Sequence, residues 1–319
     1  MNTINTNVCA IIVTYNRKEL LLECLESIKK QSVLPRGIYI IDNASTDGTA
    51  ELLLDNGFIS ELPPFQIDSP WEKEFLLPSN TTNSFIKLHY VRMHKNTGGA
   101  GGFYEGVKRS YMKGYDLLWL MDDDTIPTEN ALENMLKVLS KFHDLNVGFI
   151  SSKVLWIDGT PHIMNVPGVK PIINGLPFNI YEDKGVLLVE SASFVSLLIN
   201  RKVVEKVGLP LKEFFIWADD VEYTLRITKK GFLGLLAKNS VVIHKTSKNY
   251  SAGTTYDKRF YYNIRNWLWI YKIHFRNKYF LHFLKNLLTT YRLPRKLWFH
   301  NIRACFDSLF KSPKIEFLD

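Results

Sequence analysis

The chain is poor in cysteine. Its 319 residues hold three, Cys9, Cys24 and Cys305, too few and too scattered for a disulfide scaffold or a cysteine-built metal site. Cys9 and Cys24 read as small core hydrophobes, and so sparse a set points to a reducing compartment. No apolar run approaches the ~20 residues of a membrane span. Met1 to Asn7 is polar and uncharged, lacking the basic and apolar regions of a secretory leader. The expected location is the cytosol. There is no internal repeat, and the body has no excess of positive charge. Of 40 Lys+Arg and 32 Asp+Glu, 14 and 4 fall between Thr246 and Asp319, so the tail carries +10 and the rest −2.

Val8 to Val13 is a near-continuous apolar run, as in a strand buried on both faces. Leu21, Leu25 and Ile28 then recur at helical spacing, and Gly37 to Ile41 gives a second strand. A cap-rich turn, Asp42 to Gly48, leads into a helix over Thr49 to Leu54. Strand and helix alternate at the pace of a parallel α/β unit. Further strands are expected at Leu88–Met93, Leu117–Met121, Val147–Ser151, Phe194–Ile199 and Val241–Ile243. Helices are expected at Phe103–Lys113, Glu129–Phe142, Lys202–Val207 and Val221–Lys230. The Pro-rich stretch Phe58 to Phe85, with Ser79 to Asn83 inside it, reads as an insertion or flap. Asp158 to Lys184 is a second Gly/Pro/Asn-rich stretch, either bordering a site or decorating the surface.

Three consecutive carboxylates, Asp122, Asp123 and Asp124, follow the apolar run Leu117–Met121. Ligands in open α/β sheets sit beyond the carboxyl ends of strands. Three acids there repel one another unless a cation neutralises them, and a hard divalent metal serves. The plainer alternative is a solvated turn, with Asp124 or Thr125 capping a helix near Pro127. The string Asn96-Thr97-Gly98-Gly99-Ala100-Gly101-Gly102-Phe103 follows a strand and opens a helix. It suits either close approach of a ligand backbone or close helix packing. It lacks the glycine spacing of a dinucleotide fingerprint and sits at the wrong strand, which disfavours a nicotinamide oxidoreductase. A second acidic group, Asp219 and Asp220 after Trp217, opens another helix; it is either a helix-end cap or a general base. Trp217 could offer a flat face to a sugar or fill the core. His244 ends a short apolar run. An imidazole beside two carboxylates suits Mn²⁺ or Mg²⁺ with open positions for phosphate oxygens.

Val8–Arg17, Asp42–Asp47, Asp122–Asp124, Asp219-Asp220 and His244, in this order and spacing, resemble the inverting GT-A glycosyltransferases of family 2 over roughly residues 8 to 245. The glycine string and the run Phe215 to Asp220 look like the galactofuranosyltransferase branch; rhamnosyltransferases tend to have a less glycine-rich loop and an amide within the triplet. The resemblance implies an α/β fold of GT-A type: a Rossmann-like, mostly parallel sheet with flanking helices over residues 1–245, then a basic, aromatic-rich helical region over 246–319. Thr14, Tyr15 and Arg17 would lie against the nucleotide and Asp42 against the uracil. Asn96, Gly98 and Gly99 would border the ribose and donor sugar. Asp122, Asp124 and His244 would bind the metal, and Asp123 the nucleotide or sugar. Asp220 would be the base, with Asp219 and Trp217 near the sugars.

The tail interleaves Trp, Tyr and Phe with Lys and Arg, a mixture suited to an anionic membrane surface and an acceptor on a polyprenyl lipid. It is equally suited to a helical subdomain packed on the body. Nucleic acid finds little support beside an acidic cleft, and an oligomer stays open. The expected activity is metal-dependent, inverting transfer from a nucleotide sugar, UDP-galactofuranose foremost, to a glycan or lipid-linked hydroxyl, by an enzyme peripheral to the inner face of the membrane. The rivals are a dTDP-rhamnose or other UDP-hexose donor, or a non-catalytic nucleotide- or glycan-binding module.

Overall fold

A computed structural model describes residues 7–78, 85–249, 257 and 259–318. The chain runs β1 (Val8–Thr14), α1 (Lys18–Lys29), β2 (Gly37–Asp42), α2 (Thr49–Asp55), β3 (Trp71–Pro78), β4 (Phe85–Arg92), α3 (Gly98–Met112), β5 (Leu117–Asp122), β6 (Thr125–Pro127) and α4 (Ala131–Lys141). It continues through β7 (Val147–Leu155), β8 (Ile172–Ile173), β9 (Leu176–Pro177), β10 (Val186–Val189), β11 (Leu197–Asn200), α5 (Arg201–Val207), α6 (Asp219–Lys229) and β12 (Leu233–His244). Three helices close it: α7 (Phe260–His274), α8 (Arg276–Leu288) and α9 (Trp298–Phe310).

The main sheet has the order β10-β12-β7-β11-β5-β1-β2-β4-β3, with β6 paired to β12. Strands β5, β1, β2 and β4 are mutually parallel. β11 runs against both β5 and β7, and β12 runs with β7. Hence β1, β2, β5 and β12 all end on one side of the sheet, bringing Thr14, Asp42, Asp122 and His244 to the same edge. β1 shows why its sequence has no polar face. Val8, Ala10 and Ile12 enter one core, while Cys9, Ile11 and Val13 enter the core on the opposite side.

Several boundaries differ from expectation, each for a physical reason. The segment read as a flap contains β3, an edge strand antiparallel to β4. Its buried Phe75 and Leu77 alternate with exposed residues, and Pro78 at its end is a residue that edge strands tolerate. Ser79 to Asn83 lie outside the described residues, as does the polar start Met1 to Thr6. β12 is twelve residues long where only Val241–Ile243 was expected. Its pairing shifts register between Ala237 and Val241, so the polar Lys238, Asn239 and Ser240 interrupt the apolar pattern without ending the strand. α3 begins at Gly98 rather than Phe103, the glycine string forming its first turn. β6 lies between the aspartate triplet and α4, so the triplet caps no helix.

The C-terminal helices share apolar contacts with the body. Trp269 and Ile270 of α7 join Ala100, Leu211, Phe214, Ala218 and Leu225 in one buried cluster. Leu268, Phe283 and Cys305 form a small core among α7, α8 and α9. Beyond α9 the chain returns to the body, where Leu209 donates its backbone N–H to Glu316 at 2.8 Å. No helix among the described residues is long and apolar enough to cross a membrane.

Candidate active site

Asp122 is the last residue of β5, and the chain must turn there before β6 pairs with β12. That turn stacks Asp122, Asp123 and Asp124 against the end of β12. One ligand atom from each of Asp122, Asp124 and His244 lies within 4.8 Å of the others. Asp124 and His244 are buried, 4 % and 2 % exposed, and their Oδ1 and Nε2 are 3.1 Å apart. Two carboxylate oxygens and one imidazole nitrogen suit Mn²⁺ or Mg²⁺.

The remaining charge is met by the loop after β1. Thr14 Oγ1 donates to Asp123 Oδ2 at 2.8 Å. Arg17 pairs with Asp123 at 3.2 Å and also binds Asp124. Burial and the charge of Asp124 push Asp122 up, against the pull of His244 and Arg17. Burial likewise pushes Asp123 up to about 7 despite Arg17. Asp124 is lowered to about 2: its hydrogen bond to His244, with the charges of His244 and Arg17, outweighs the cost of burial. His244 is raised by Asp124 in spite of burial.

His244 is oriented by a residue that sequence reasoning missed. Its Nδ1 lies 2.7 Å from Asn165 Oδ1, and the amide nitrogen of Asn165 donates to Ser193 Oγ at 3.0 Å. With the amide so placed, its oxygen accepts from Nδ1–H and leaves the Nε2 lone pair facing the carboxylates. The His162 ring packs at 4.6 Å from His244. Both Asn165 and His162 come from the Gly/Pro/Asn-rich stretch, whose composition offered no signal for either.

Asp42 sits inside, 0 % exposed. Its Oδ2 accepts from Tyr90 Oη and Arg92 Nη1, each at 2.6 Å, and its Oδ1 from the Ser45 N–H at 2.8 Å. The next residue links two loops. Asn43 donates to Gly98 O at 2.7 Å and accepts from Thr97 N and Oγ1, both at 2.9 Å. The glycines divide by role. A Cβ on Gly102 would lie 2.4 Å from Val13 and one on Gly106 2.3 Å from Ile11, so these two let α3 press onto β1. Gly98 has φ +73, and a Cβ there would meet Phe215 O at 2.0 Å. A Cβ on Gly99 would meet nothing within 4 Å. Asn96 is exposed and accepts from the Gly98 N–H at 2.8 Å. Tyr15 is also exposed, at 43 %.

The second acidic group opens α6. Ala218, with φ +64, precedes the helix and cannot cap it with a side chain. Asp220 Oδ1 accepts from the Val221 N–H at 2.7 Å. Burial, then the charge of Asp122, raises Asp220 to about 6, with the Val221 amide pulling the other way. Asp219 is raised further, by burial and by the charge of Asp220. Two neighbouring carboxyls are thus both raised, Asp219 more than Asp220. The charge of Asp122 acts on both, so the two acidic groups border one electrostatic site. Trp217 is half-buried, with the Arg259 guanidinium 4.9 Å above its ring.

The family profile described as glycosyl transferase family 2 matches residues 9–57 and 79–207, more than half of the chain. The chain belongs to that family. Among curated relatives, the galactofuranosyltransferase GlfT1 of Mycolicibacterium smegmatis is 26 % identical over 230 residues, 70 % of this chain and 66 % of that protein. The chain thus spans just under two thirds of that relative's length. The dTDP-rhamnosyl transferase RfbF of Shigella flexneri is 24 % identical over 243 residues, 75 % of this chain and 69 % of that one. Among solved structures, GalNAc-T7 with UDP, GalNAc and Mn²⁺ superposes with a TM-score of 0.62 at 13 % identity, covering 96 % of this chain and 56 % of that one. Staphylococcus aureus TarS superposes with 0.58 at 13 % identity, over 96 % and 49 %. The fold is therefore GT-A, and this member of the family has its two acidic groups at the carboxyl edge of the sheet.

Proposed function

We propose that this glycosyltransferase moves a sugar from a nucleotide donor, UDP-galactofuranose foremost, to a hydroxyl of a glycan or polyprenyl-linked acceptor with inversion. The observation that carries the reading is the gathering of Asp122, Asp124 and His244 within 4.8 Å, with Asp220 close enough to feel the charge of Asp122. Asp122, Asp124 and His244 would hold Mn²⁺ or Mg²⁺, which when bound supplies positive charge against a leaving diphosphate. Thr14, Tyr15 and Arg17 would border the nucleotide, and Asp42 would act through Arg92 and Tyr90. Asn96, Gly98 and Gly99 would line the donor sugar, with Asp123 braced by Thr14 and Arg17. Asp220 accepts the acceptor's hydroxyl proton while that oxygen attacks the anomeric carbon. The new C–O bond forms on the face opposite the nucleotide, and the old one breaks with its electron pair leaving on the diphosphate. Asp219, its proton affinity raised by burial and by the charge of Asp220, would lie beside Trp217 near the sugars.

Likeness to GlfT1 at 26 % identity supports the galactofuranose donor, and UDP complexes among the structural neighbours support a uridine nucleotide. Likeness to RfbF over 75 % of the chain favours dTDP-rhamnose as the second reading. A panel of UDP-, dTDP- and GDP-sugars assayed with Mn²⁺ and with chelator tests the proposal. Release of nucleoside diphosphate from UDP-galactofuranose only when metal is present is the expected result. Turnover untouched by chelator, or binding of nucleotide with no release from any donor, rejects it.

A cytosol-facing membrane surface is the proposed place of work. The stretch 276–314 carries nine Lys and Arg against one Asp, which equals the chain's whole formal +8. On α9, Trp298, Ile302, Phe306 and Leu309 recur at helical spacing and are all exposed, as are Phe280 and Leu281 on α8. An exposed apolar stripe flanked by basic side chains matches an interfacial helix on anionic lipid. Co-sedimentation with anionic but not neutral vesicles, lost in a Phe306→Ser, Phe310→Ser variant, is expected. Equal recovery in the supernatant with both vesicle types removes the membrane from the proposal.

A further inference from the structure

The segment just before α6 is held in a conformation that its own sequence disfavours. Phe215, Trp217 and Ala218 have φ of 65, 66 and 64. Each such non-glycine residue sits in a sparsely populated region of backbone space, and the arrangement persists only where its surroundings over-determine it. Two sets of contacts do so. On one side Phe215 O accepts the Ala100 N–H of α3 at 3.1 Å. On the other, α7 presents Asn266, which is 0 % exposed.

Asn266 Nδ2 is 3.0 Å from Phe214 O, 2.9 Å from Ile216 O and 2.8 Å from Trp217 O. One amide group therefore serves three carbonyls of the strained segment. Its own oxygen accepts from Arg265 Nη2 at 2.8 Å and Nε at 3.1 Å, which fixes the amide nitrogen toward the carbonyls. The same guanidinium donates to Glu213 O at 2.7 Å and Phe214 O at 3.1 Å. Two adjacent residues of a helix some 50 positions downstream thus bind four consecutive or near-consecutive carbonyls leading into the Asp219-Asp220 pair. Both lie outside the stretches matched by the family profile.

We propose that Asn266, oriented by Arg265, is the positioning residue for the acceptor side of the reaction, holding Trp217 and the Asp220 carboxylate in transferring geometry. The inference rests on the reading of Asp220 as the base. It makes the C-terminal helices a working part of the site and not only a means of attachment. A displacement of about 1 Å at a reacting group can cost 10²-fold in rate, so the loss is expected in transfer and not in donor binding.

The test compares transfer with donor hydrolysis in the same full-length preparation, since their ratio does not depend on the folded fraction. In Asn266→Ala, transfer is expected to fall about 10²-fold and acceptor KM to rise. Hydrolysis and UDP–Mn²⁺ affinity should stay within about threefold, and Asn266→Ser should recover part of the ratio. Arg265→Met, which keeps the amide but frees its oxygen, should shift the ratio the same way by a smaller factor; it stands in if Asn266→Ala does not fold. Amide hydrogen exchange should quicken over residues 213–221 in either variant while β5 is unchanged. An unaltered ratio of transfer to hydrolysis, or unaltered exchange in that segment, overturns the proposal. A wild-type protein without transfer or hydrolysis defeats the functional reading instead, while the exchange result still decides the clamp.

Discussion

The two acidic groups of the site are made by opposite means. Asp122, Asp123 and Asp124 stand where a parallel strand ends, and their charge is met by other charges: Arg17 binds two of them and His244 a third contact. Asp219 and Asp220 open a helix after three residues of positive φ. Burial and the charge of Asp122 raise both, and backbone amides pull the other way. The first group is arranged to exchange one set of positive charges for another. The second is arranged to keep or take up a proton. On the proposed reading, the difference separates a donor side, built on electrostatic neutralisation, from an acceptor side, built on proton affinity and held through Asn266 of α7.

The largest effect that would sharpen this division is expected from Asp220→Asn. Loss of a general base costs about 10²–10⁴-fold in rate, and here the loss should fall on transfer alone. UDP–Mn²⁺ binding, read by calorimetry, should change little, because Asp220 is not one of the three groups gathered for the metal. Full transfer by the variant would take Asp220 out of the base's role. Retained transfer with lost nucleotide binding would erase the boundary between the two sides. In the wild type, the ionised form of Asp220 is the active one, so transfer should fall as pH drops through about 6. The inflection should lie at or below that value once metal offsets the charge of Asp122.

A smaller effect is expected on the donor side from Asn165→Leu. The substitution leaves His244 Nδ1 without its acceptor and the ring free to turn. Removing a partner of this kind typically weakens metal affinity 10–100-fold, readable as a rightward shift in a Mn²⁺ titration followed by electron paramagnetic resonance. Asn165→Asp keeps the acceptor and should keep the affinity. Saturating Mn²⁺ should restore most transfer in the Leu variant, which no excess of metal should do for Asp220→Asn. Unchanged Mn²⁺ affinity in Asn165→Leu would show that the ring is held by its packing against His162 instead.

The donor side was legible in the sequence and the acceptor side only in part. Asp122–Asp124 follow a run whose residues alternate between two cores, so the strand, its end and the carboxylates at that end all follow from local pattern. His244 could be named, but β12 was underestimated because a register shift sets polar residues inside the strand. Asp219 and Asp220 could be named as acids opening a helix. What holds them could not, because Asn266 sits in a helix whose pattern speaks only of amphipathicity, and nothing in Phe215 to Ala218 announces positive φ. Asn165 was hidden for the same reason. A single amide in a loop acquires its role from the histidine that the fold brings to it 79 residues later.

The smallest expected effect concerns stability without metal. Asp123 in the folded protein ionises near 7, and Asp122 and Asp219 are raised as well. The folded state therefore holds protons that the unfolded chain sheds above about pH 4, so stability falls as pH rises from about 4 to about 7, the range that Asp123 sets. Asp124, lowered to about 2, works in the other direction, but its contribution is lost only as pH falls toward 2. In chelator, the thermal midpoint should thus drop across pH 4.5–7.5 by a few degrees, on the order of 3–6 °C. Mn²⁺ should flatten the donor-side part of that slope by favouring the ionised forms of Asp122 and Asp123, leaving the part that belongs to Asp219 and Asp220. Asp219→Asn should remove its own share of the remainder with or without metal. A midpoint that rises with pH in chelator would mean that Arg17 and His244 already over-compensate the triplet, and the donor side would then need no cation to be at rest.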